Sequence, residues 1–191
     1  MKKITALCFL GLFLLPGFLQ SQNLTKNKKQ LLKSIEKHEA NLIEISDKIW
    51  SLAETAFEEN ASAKILADYA EEQGFKVERG VAEMPTAFVA TYGSGKPVIS
   101  VLGEFDALPG ISQKTVPTKS PLIEGAAGHG CGHNLFGAGS LGAAIAIKEL
   151  IAQGKIKGTV KFFGTPSEEK FFGKIWMVRA GLWDDVDVNI S

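Results

Sequence analysis

Two short apolar runs, at residues 98–102 and 159–164, bracket a segment of helical character at residues 135–152. Fully apolar runs of strand length are typical of buried strands in parallel sheets. Parallel neighbours need a crossover connection, and a helix usually supplies it. Small residues such as Ala138 and Gly142 allow such a helix to lie close against a sheet. The sequence therefore predicts an α/β fold built around this strand–helix–strand unit.

The remaining periodic segments continue the alternation of helices and strands. Residues 27–56 have the pattern of a long amphipathic helix, and residues 61–73 that of a second helix ending at Gly74. Further strands are predicted at residues 75–79, 87–92 and 186–190, and a further helix at residues 168–180. This alternation indicates a doubly wound sheet with helices on both faces. Because the last strand reaches the final residues, we expect this chain to be the N-terminal part of a longer protein, with an incomplete sheet.

The N-terminus has the composition of a secretory signal peptide. Lys2 and Lys3 precede an apolar run over residues 4–19, and polar residues follow it. A spanning helix needs about 20 apolar residues, whereas this run is shorter and contains Pro16. We therefore predict a signal peptide at residues 1–21 and an exported protein, periplasmic or secreted, formed by residues 22–191. An uncleaved anchor is the alternative.

Composition excludes several classes of protein. The chain has 21 acidic and 21 basic side chains, so it lacks the basic surplus that nucleic-acid binding usually requires. Two cysteines in 191 residues cannot form a disulfide framework. A hydrophobic fraction of 45% supports a sizeable core. We expect neither a nucleic-acid partner nor, once the signal is removed, a membrane partner.

The stretch GHGCGHN at residues 128–134 is the most informative motif. In an extended loop, residues two apart point the same way, so His129, Cys131 and His133 can converge. A helix is predicted to begin just after this loop, and its N-terminal dipole would lower the pKa of the thiol. Thiolate and imidazole groups suit a borderline metal such as zinc. The alternative is a glycine-rich turn with an incidental buried cysteine.

A second motif, TPSEE at residues 165–169, directly follows a predicted buried strand. Ligands of open α/β sheets bind beyond the carboxyl ends of strands. One of the adjacent carboxylates, Glu168 and Glu169, can bind a metal while the other takes a proton from water. The alternative is an acidic first turn that complements a helix dipole.

Two further carboxylates, Glu104 and Asp106, follow the strand at residues 98–102. Carboxylates often accept the N–H of a metal-ligating histidine and so fix its tautomer. Glu104 and Asp106 are candidates for that role. A polar turn at the strand exit explains them nearly as well.

Two nucleotide-like patterns fail on their context. GAGSLG at residues 137–142 matches a dinucleotide fingerprint, but no strand directly precedes it and no acidic residue follows at the required distance. GSGK at residues 93–96 is followed by Pro97, where a phosphate loop needs serine or threonine. We expect no nicotinamide or nucleotide cofactor.

With GEFDALPG at residues 103–110, GHGCGHN and TPSEE in this order, the chain resembles the co-catalytic metallopeptidases of the aminoacylase and carboxypeptidase type. Within them it is similar to the amidohydrolase branch, over about residues 30–191. The resemblance implies an α/β, doubly wound, aminopeptidase-like mixed sheet. It also implies zinc or manganese, usually as a pair, and a homodimer when the protein is full length.

The resemblance also implies roles for individual residues. Cys131, His133 and Glu169 would be metal ligands, Glu168 the general base, and Asp106 the group that orients a ligand. His129 lies beside the site without an implied role. The implied reaction is hydrolysis of the amide bond of N-acyl or N-aroyl amino acids, of the aminobenzoyl-glutamate or hippurate type.

The chain also departs from the pattern of this branch. Ser167 stands where relatives commonly have alanine, and Lys170, Phe171 and Phe172 stand where they have glycines. We expect these aromatic groups to narrow or re-aim the acyl pocket. Two further histidine ligands and a lid and dimerisation domain of the branch have no counterpart in this sequence. A truncated enzyme with little or no activity is therefore expected; the alternative is a non-catalytic binding or scaffold module with a structural metal or none.

Overall fold

The computed structural model describes residues 25–191, so the predicted signal peptide at residues 1–21 lies outside the described part. The helices are α1 (Lys26–Leu52), α2 (Asn60–Glu72), α3 (His133–Ala152), α4 (Glu168–Phe171) and α5 (Gly173–Arg179). The strands are β1 (Lys76–Arg79), β2 (Phe88–Ser94), β3 (Val98–Glu104), β4 (Gly158–Thr165) and β5 (Val188–Ile190). A short 3-10 helix covers Val81–Glu83.

These strands form one mixed sheet in the order β1-β2-β4-β3-β5. The β1/β2 and β2/β4 pairs are antiparallel, whereas β3 runs parallel to both β4 and β5. From β3 the chain crosses to β4 on one side and later returns to β5 on the other. The prediction of an α/β mixed sheet is confirmed. Its carboxyl edge beyond β3 is the kind of topological switch point at which such sheets bind ligands.

Two apolar cores, one on each face of the sheet, hold helices against it. On one face, α1, α2 and α3 pack over buried side chains such as Phe88, Val101 and Phe162. On the other face, Met177 of α5 packs with Phe163 in a smaller core. Helices thus cover both faces, as predicted. The alternation of side chains along each strand separates the two cores.

Glycines allow α3 to approach the end of β3. A Cβ atom on Gly137 would lie 2.7 Å from the Glu104 carbonyl oxygen. A Cβ atom on Gly103 would lie 2.8 Å from the ring of Phe162. Larger residues at either position would push the helix and strand apart, so these glycines bring the start of α3, at His133, to the carboxyl edge of the sheet.

The apolar character of α3 reflects this central position. Within residues 25–191, α3 is the one helix long and apolar enough to cross a membrane, with a mean hydropathy of 1.5. Half of that window is buried inside the fold. A core helix packed on a sheet accounts for the composition.

The structure corrects two helix predictions. The helix predicted at residues 27–56 ends at Leu52, because Ala53 adopts a left-handed conformation (φ 45°) and caps it. The helix predicted at residues 168–180 is broken into α4 and α5 at Phe172, which has φ 54°. At this break Gly173 lies against the Pro166 carbonyl oxygen, where a Cβ atom would be only 2.1 Å away.

Candidate metal centre

Three segments that are distant in sequence meet at the carboxyl edge of the sheet. In the parallel β3/β4 pair, Glu104 lies opposite Thr165, so the residues after both strands emerge side by side. The GHGCGHN loop reaches the same edge because Leu108 and Gly128 exchange two backbone hydrogen bonds of 3.0 Å. The loop ends at His133, the first residue of α3. Sheet register and this bridge therefore place the predicted ligands together.

His133 is the buried centre of the cluster. Its Nδ1 lies 2.9 Å from Asp106 Oδ1 and 3.1 Å from the Asp106 carbonyl oxygen. Its Nε2 lies 2.9 Å from Glu104 Oε2, and 3.8 Å from a carboxylate oxygen of both Glu168 and Glu169. An acceptor on Nδ1 fixes the proton there and directs Nε2 toward the remaining acidic groups. Asp106 thus occupies the orienting position predicted for it.

Acidic groups dominate the electrostatics of this site. Burial opposes the charged form of His133, but Asp106 and Glu104 outweigh it and raise its pKa to about 11. Burial likewise favours the neutral form of Glu104, yet hydrogen bonds from His133 and Lys174 lower its pKa. The site therefore attracts positive charge strongly.

The donor atoms fit a metal ion. One candidate atom each from Cys131, His133 and Glu169 lie within 4.8 Å of one another, and so do atoms of Glu104, His133 and Glu168. Glu169 Oε1 is buried and has no hydrogen-bond partner, which is costly for a carboxylate unless a ligand satisfies it. The Cys131 thiol is exposed, so the cluster opens to solvent. A sulfur, nitrogen and oxygen donor set suits zinc.

His129 does not join this cluster, contrary to the convergence expected from the loop spacing. Its Nε2 donates to the Ile49 carbonyl oxygen at 3.0 Å, which turns the ring toward α1. Burial lowers the pKa of His129. The extended conformation assumed for the loop does not continue to α3, because Gly132 is left-handed (φ 81°).

Two contacts at the site carry no recognisable sequence signal. Glu59, at the start of α2, is fully buried, and its Oε1 accepts the backbone N–H of Ser167 at 2.8 Å. Lys174 of α5 donates to Glu104 Oε1. Both partners are distant in sequence, and neither lies in a motif. Glu104 itself contacts Nε2 of His133, the nitrogen directed toward the ligand site, rather than the nitrogen that Asp106 holds.

The two aromatic residues after the carboxylate pair behave differently. The Phe171 ring stacks on the Phe57 ring, with centroids 5.4 Å apart. Phe172 is 59% exposed and forms the break between α4 and α5. Only Phe171 is thus held in place beside Glu168 by a neighbouring ring.

Comparisons with known proteins agree with this site. Residues 100–190 match the sequence profile of Peptidase family M20/M25/M40. The chain is 46% identical over 159 residues to a p-aminobenzoyl-glutamate hydrolase component of Escherichia coli, covering 83% of this chain and 33% of that protein. It is 29% identical over 187 residues to Xaa-Arg dipeptidase of Mus musculus, covering 91% of this chain and 39% of that protein. The chain therefore spans between a third and two fifths of these relatives.

Solved structures share the fold. The Bacillus subtilis YXEP protein, a dinuclear metal binding peptidase from M20 family, has a TM-score of 0.69 and 26% identity. That match covers 81% of this chain and 42% of the other. The aminobenzoyl-glutamate utilization protein from Klebsiella pneumoniae has a TM-score of 0.60 at 18% identity, and covers 84% and 45% of the two chains.

The fold and the cluster at its edge define a metal-dependent hydrolase of the peptidase and amidohydrolase class. The chain belongs to the M20/M25/M40 peptidase family. The resemblance drawn from the three motifs is thereby confirmed, including the similarity to aminobenzoyl-glutamate utilization protein B that the run GSLGAAIAIKEL at residues 139–150 suggests.

Proposed function

We propose that this chain supplies the metal-binding part of an amidohydrolase that cleaves N-acyl or N-aroyl amino acids. The observation that carries the proposal is the meeting of Cys131, His133 and Glu169 beside Glu168 at the sheet edge. The activity for which the relative at 46% identity is named supports an aminobenzoyl-glutamate type of substrate, with hippurate-type amides as the related class.

The residues divide the chemistry among them. Cys131, His133 and Glu169 would hold zinc or manganese, as one member of a pair. When bound, the metal supplies Lewis-acid polarisation of the amide carbonyl and a lowered pKa for water. Asp106 holds Nδ1 of His133 and so keeps Nε2 available to a ligand.

Glu168 is placed to move the proton. Its side chain is 33% exposed, so water and substrate can reach its carboxylate, while Glu169 beside it is only 16% exposed. Glu168 accepts the proton of the attacking water and returns it to the leaving amine. The more buried Glu169 remains the ligand. The adjacent pair thus splits into a base and a ligand by exposure.

A second candidate is a binding or scaffold module with a structural metal or none. The observation in its favour is that the chain spans only about a third of the relative it matches at 46% identity. Under the hydrolase proposal, the 191-residue chain turns over substrate weakly, because three protein ligands hold an ion loosely.

Metal binding and turnover together test the proposal. Co²⁺ titrated into the chain should give a thiolate charge-transfer absorption that is absent in Cys131→Ser. Glu168→Gln should keep Co²⁺ binding but lose about 10²–10⁴-fold of any hydrolysis of aminobenzoyl-glutamate. Glu72→Gln, an exposed carboxylate of α2, is the matched control. Binding without turnover that depends on Glu168 favours the scaffold module, and no Co²⁺ binding overturns both metal proposals.

Export and dimerisation belong to the same proposal. The charged start and apolar run of residues 1–21 support a signal peptide and a periplasmic or secreted protein. N-terminal sequencing of the protein from its own cells tests this, with a first residue near 22 expected. The homodimer rests on the family resemblance and is tested by sedimentation of the full-length protein.

A further inference from the structure

The turn that carries Glu168 and Glu169 has a strained backbone. Ser167 lies in the left-handed region (φ 56°, ψ 42°), which residues with a side chain rarely adopt. Such a conformation persists only where the surroundings hold it. Two buried carboxyl groups contact this turn: Glu59 Oε1 accepts from Ser167 N at 2.8 Å, and Asp106 Oδ2 accepts from Glu169 N at 2.9 Å.

Glu59 is an expensive group for the fold to bury. Its exposed fraction is 0%, and its second oxygen, Oε2, is buried without a hydrogen-bond partner. Burial is the main reason that its pKa rises to about 7. A carboxyl group in this state weakens the fold relative to an apolar side chain of similar size. Its side-chain hydrogen bond is directed at Ser167, beside the proposed base and ligand.

We propose that Glu59 is a positioning residue that holds the Ser167 backbone and thereby aims the Glu168–Glu169 pair at the metal site. Asp106 holds the turn from the other side through Glu169 N. The assignment of Glu168 as base rests on the proposed function, whereas the anchoring of the turn and of Glu169 does not.

A neighbouring carboxylate provides a matched control. Glu54 accepts from Ala61 N at 3.0 Å, from Ser62 N at 2.8 Å and from Ser62 Oγ at 2.7 Å. These contacts satisfy the first N–H groups of α2, which is a purely structural role. Glu54 and Glu59 flank the same segment but serve different ends.

The test compares Co²⁺ affinity with thermal stability in four variants of the chain. Glu59→Met removes the acceptor at similar volume, and Glu59→Asp draws it back by one methylene. Both should weaken Co²⁺ binding about 10-fold or more, while Glu59→Met leaves the Tm unchanged or raised. Glu59→Gln keeps an acceptor oxygen and should stay within about 3-fold. Glu54→Met should lower the Tm and leave Co²⁺ affinity within about 3-fold.

Amide hydrogen exchange at Ser167 separates this proposal from the proposed function. The Ser167 amide should be protected in the wild type and lose protection in Glu59→Met and Glu59→Asp, while the Glu169 amide stays protected. If the wild type binds no Co²⁺, the hydrolase proposal fails and this exchange pattern alone decides about Glu59. Wild-type Co²⁺ affinity in Glu59→Asp, or a Ser167 amide that is unprotected in the wild type, overturns the positioning role. If Glu59→Met fails to fold, that too contradicts it, because Glu59 would then serve stability.

Discussion

Helix α3 connects two buried histidines that look alike locally. At its start, His133 contacts Asp106 through Nδ1 and Glu104 through Nε2, both at 2.9 Å. In its last turn, Glu149 contacts Nε2 of His38 at 3.2 Å, and Tyr69 Oη lies 2.8 Å from the Nδ1 of His38. Both imidazoles are almost fully enclosed and bonded at both nitrogens. Hydrogen bonding and burial therefore do not distinguish a ligand from a structural histidine.

The balance of charge does distinguish them. Around His133 four carboxylates gather, and Lys174 is bound to one of them. Around His38 the one carboxylate, Glu149, is also bound by Lys37 at 2.8 Å. Burial would raise the pKa of Glu149, but Lys37 and His38 lower it to about 2. A surplus of acidic groups marks the site for a cation, and a balanced set marks a structural cluster.

Exchanging each histidine for alanine should give the largest contrast. His133→Ala removes a ligand and should lower Co²⁺ affinity at least about 100-fold, beyond the usual effect of losing a supporting group. His38→Ala should leave affinity within about 3-fold but lower the free energy of unfolding by about 1–3 kcal/mol, because it strands the partners of a buried group. Titration and denaturant unfolding measure both. Equal effects on Co²⁺ affinity would remove the distinction.

The partners on Nδ1 should give a smaller contrast. Asp106→Asn keeps an oxygen for His133 but loses its charge, so Co²⁺ affinity should fall about 10–100-fold. Tyr69→Phe removes the corresponding partner of His38 and should lower the free energy of unfolding by about 1 kcal/mol, with metal binding unchanged. An Asp106→Asn variant that binds Co²⁺ as tightly as the wild type contradicts the orienting role.

Acid should produce the smallest effect. The pKa of Glu149 is lower in the folded chain than its usual 4.5, so its ion pair stabilises the fold above that pH. This stabilisation is lost as the pH falls from about 5 toward 2. Solvent screens the pair, so it amounts to about 1 kcal/mol. The free energy of unfolding of Glu149→Gln should therefore approach that of the wild type between pH 5 and 3. A constant difference over this range would contradict the shift.

Local sequence signals predicted the strands and the site residues that follow them. The apolar run before Glu104 and the run before Thr165 define β3 and β4, and parallel strands bring their carboxyl ends together. Cys131 and His133 stand out because two imidazoles and a thiol fall within one glycine-rich loop. Their roles as ligands remain predictions that the metal titrations test.

Features that depend on the whole fold were not predictable. A left-handed conformation at Phe172 (φ 54°) has no sequence signature, so one helix was predicted where two form. The Glu59 contact with Ser167 spans 108 positions, and no periodicity or motif connects them. The orientation of His129 follows from its contact with Ile49, 80 positions away.

The register that sets Glu104 opposite Thr165 also governs when the ligands exist as a set. Cys131 and Glu169 meet only after α3 has crossed the sheet and β3 and β4 have paired. An unfolded chain holds the same side chains far apart, so an ion that binds the folded chain shifts the equilibrium by mass action. At a free metal concentration about 100 times the Kd, that shift is about 2.7 kcal/mol. Metal supply thereby becomes a determinant of how much of this protein is folded.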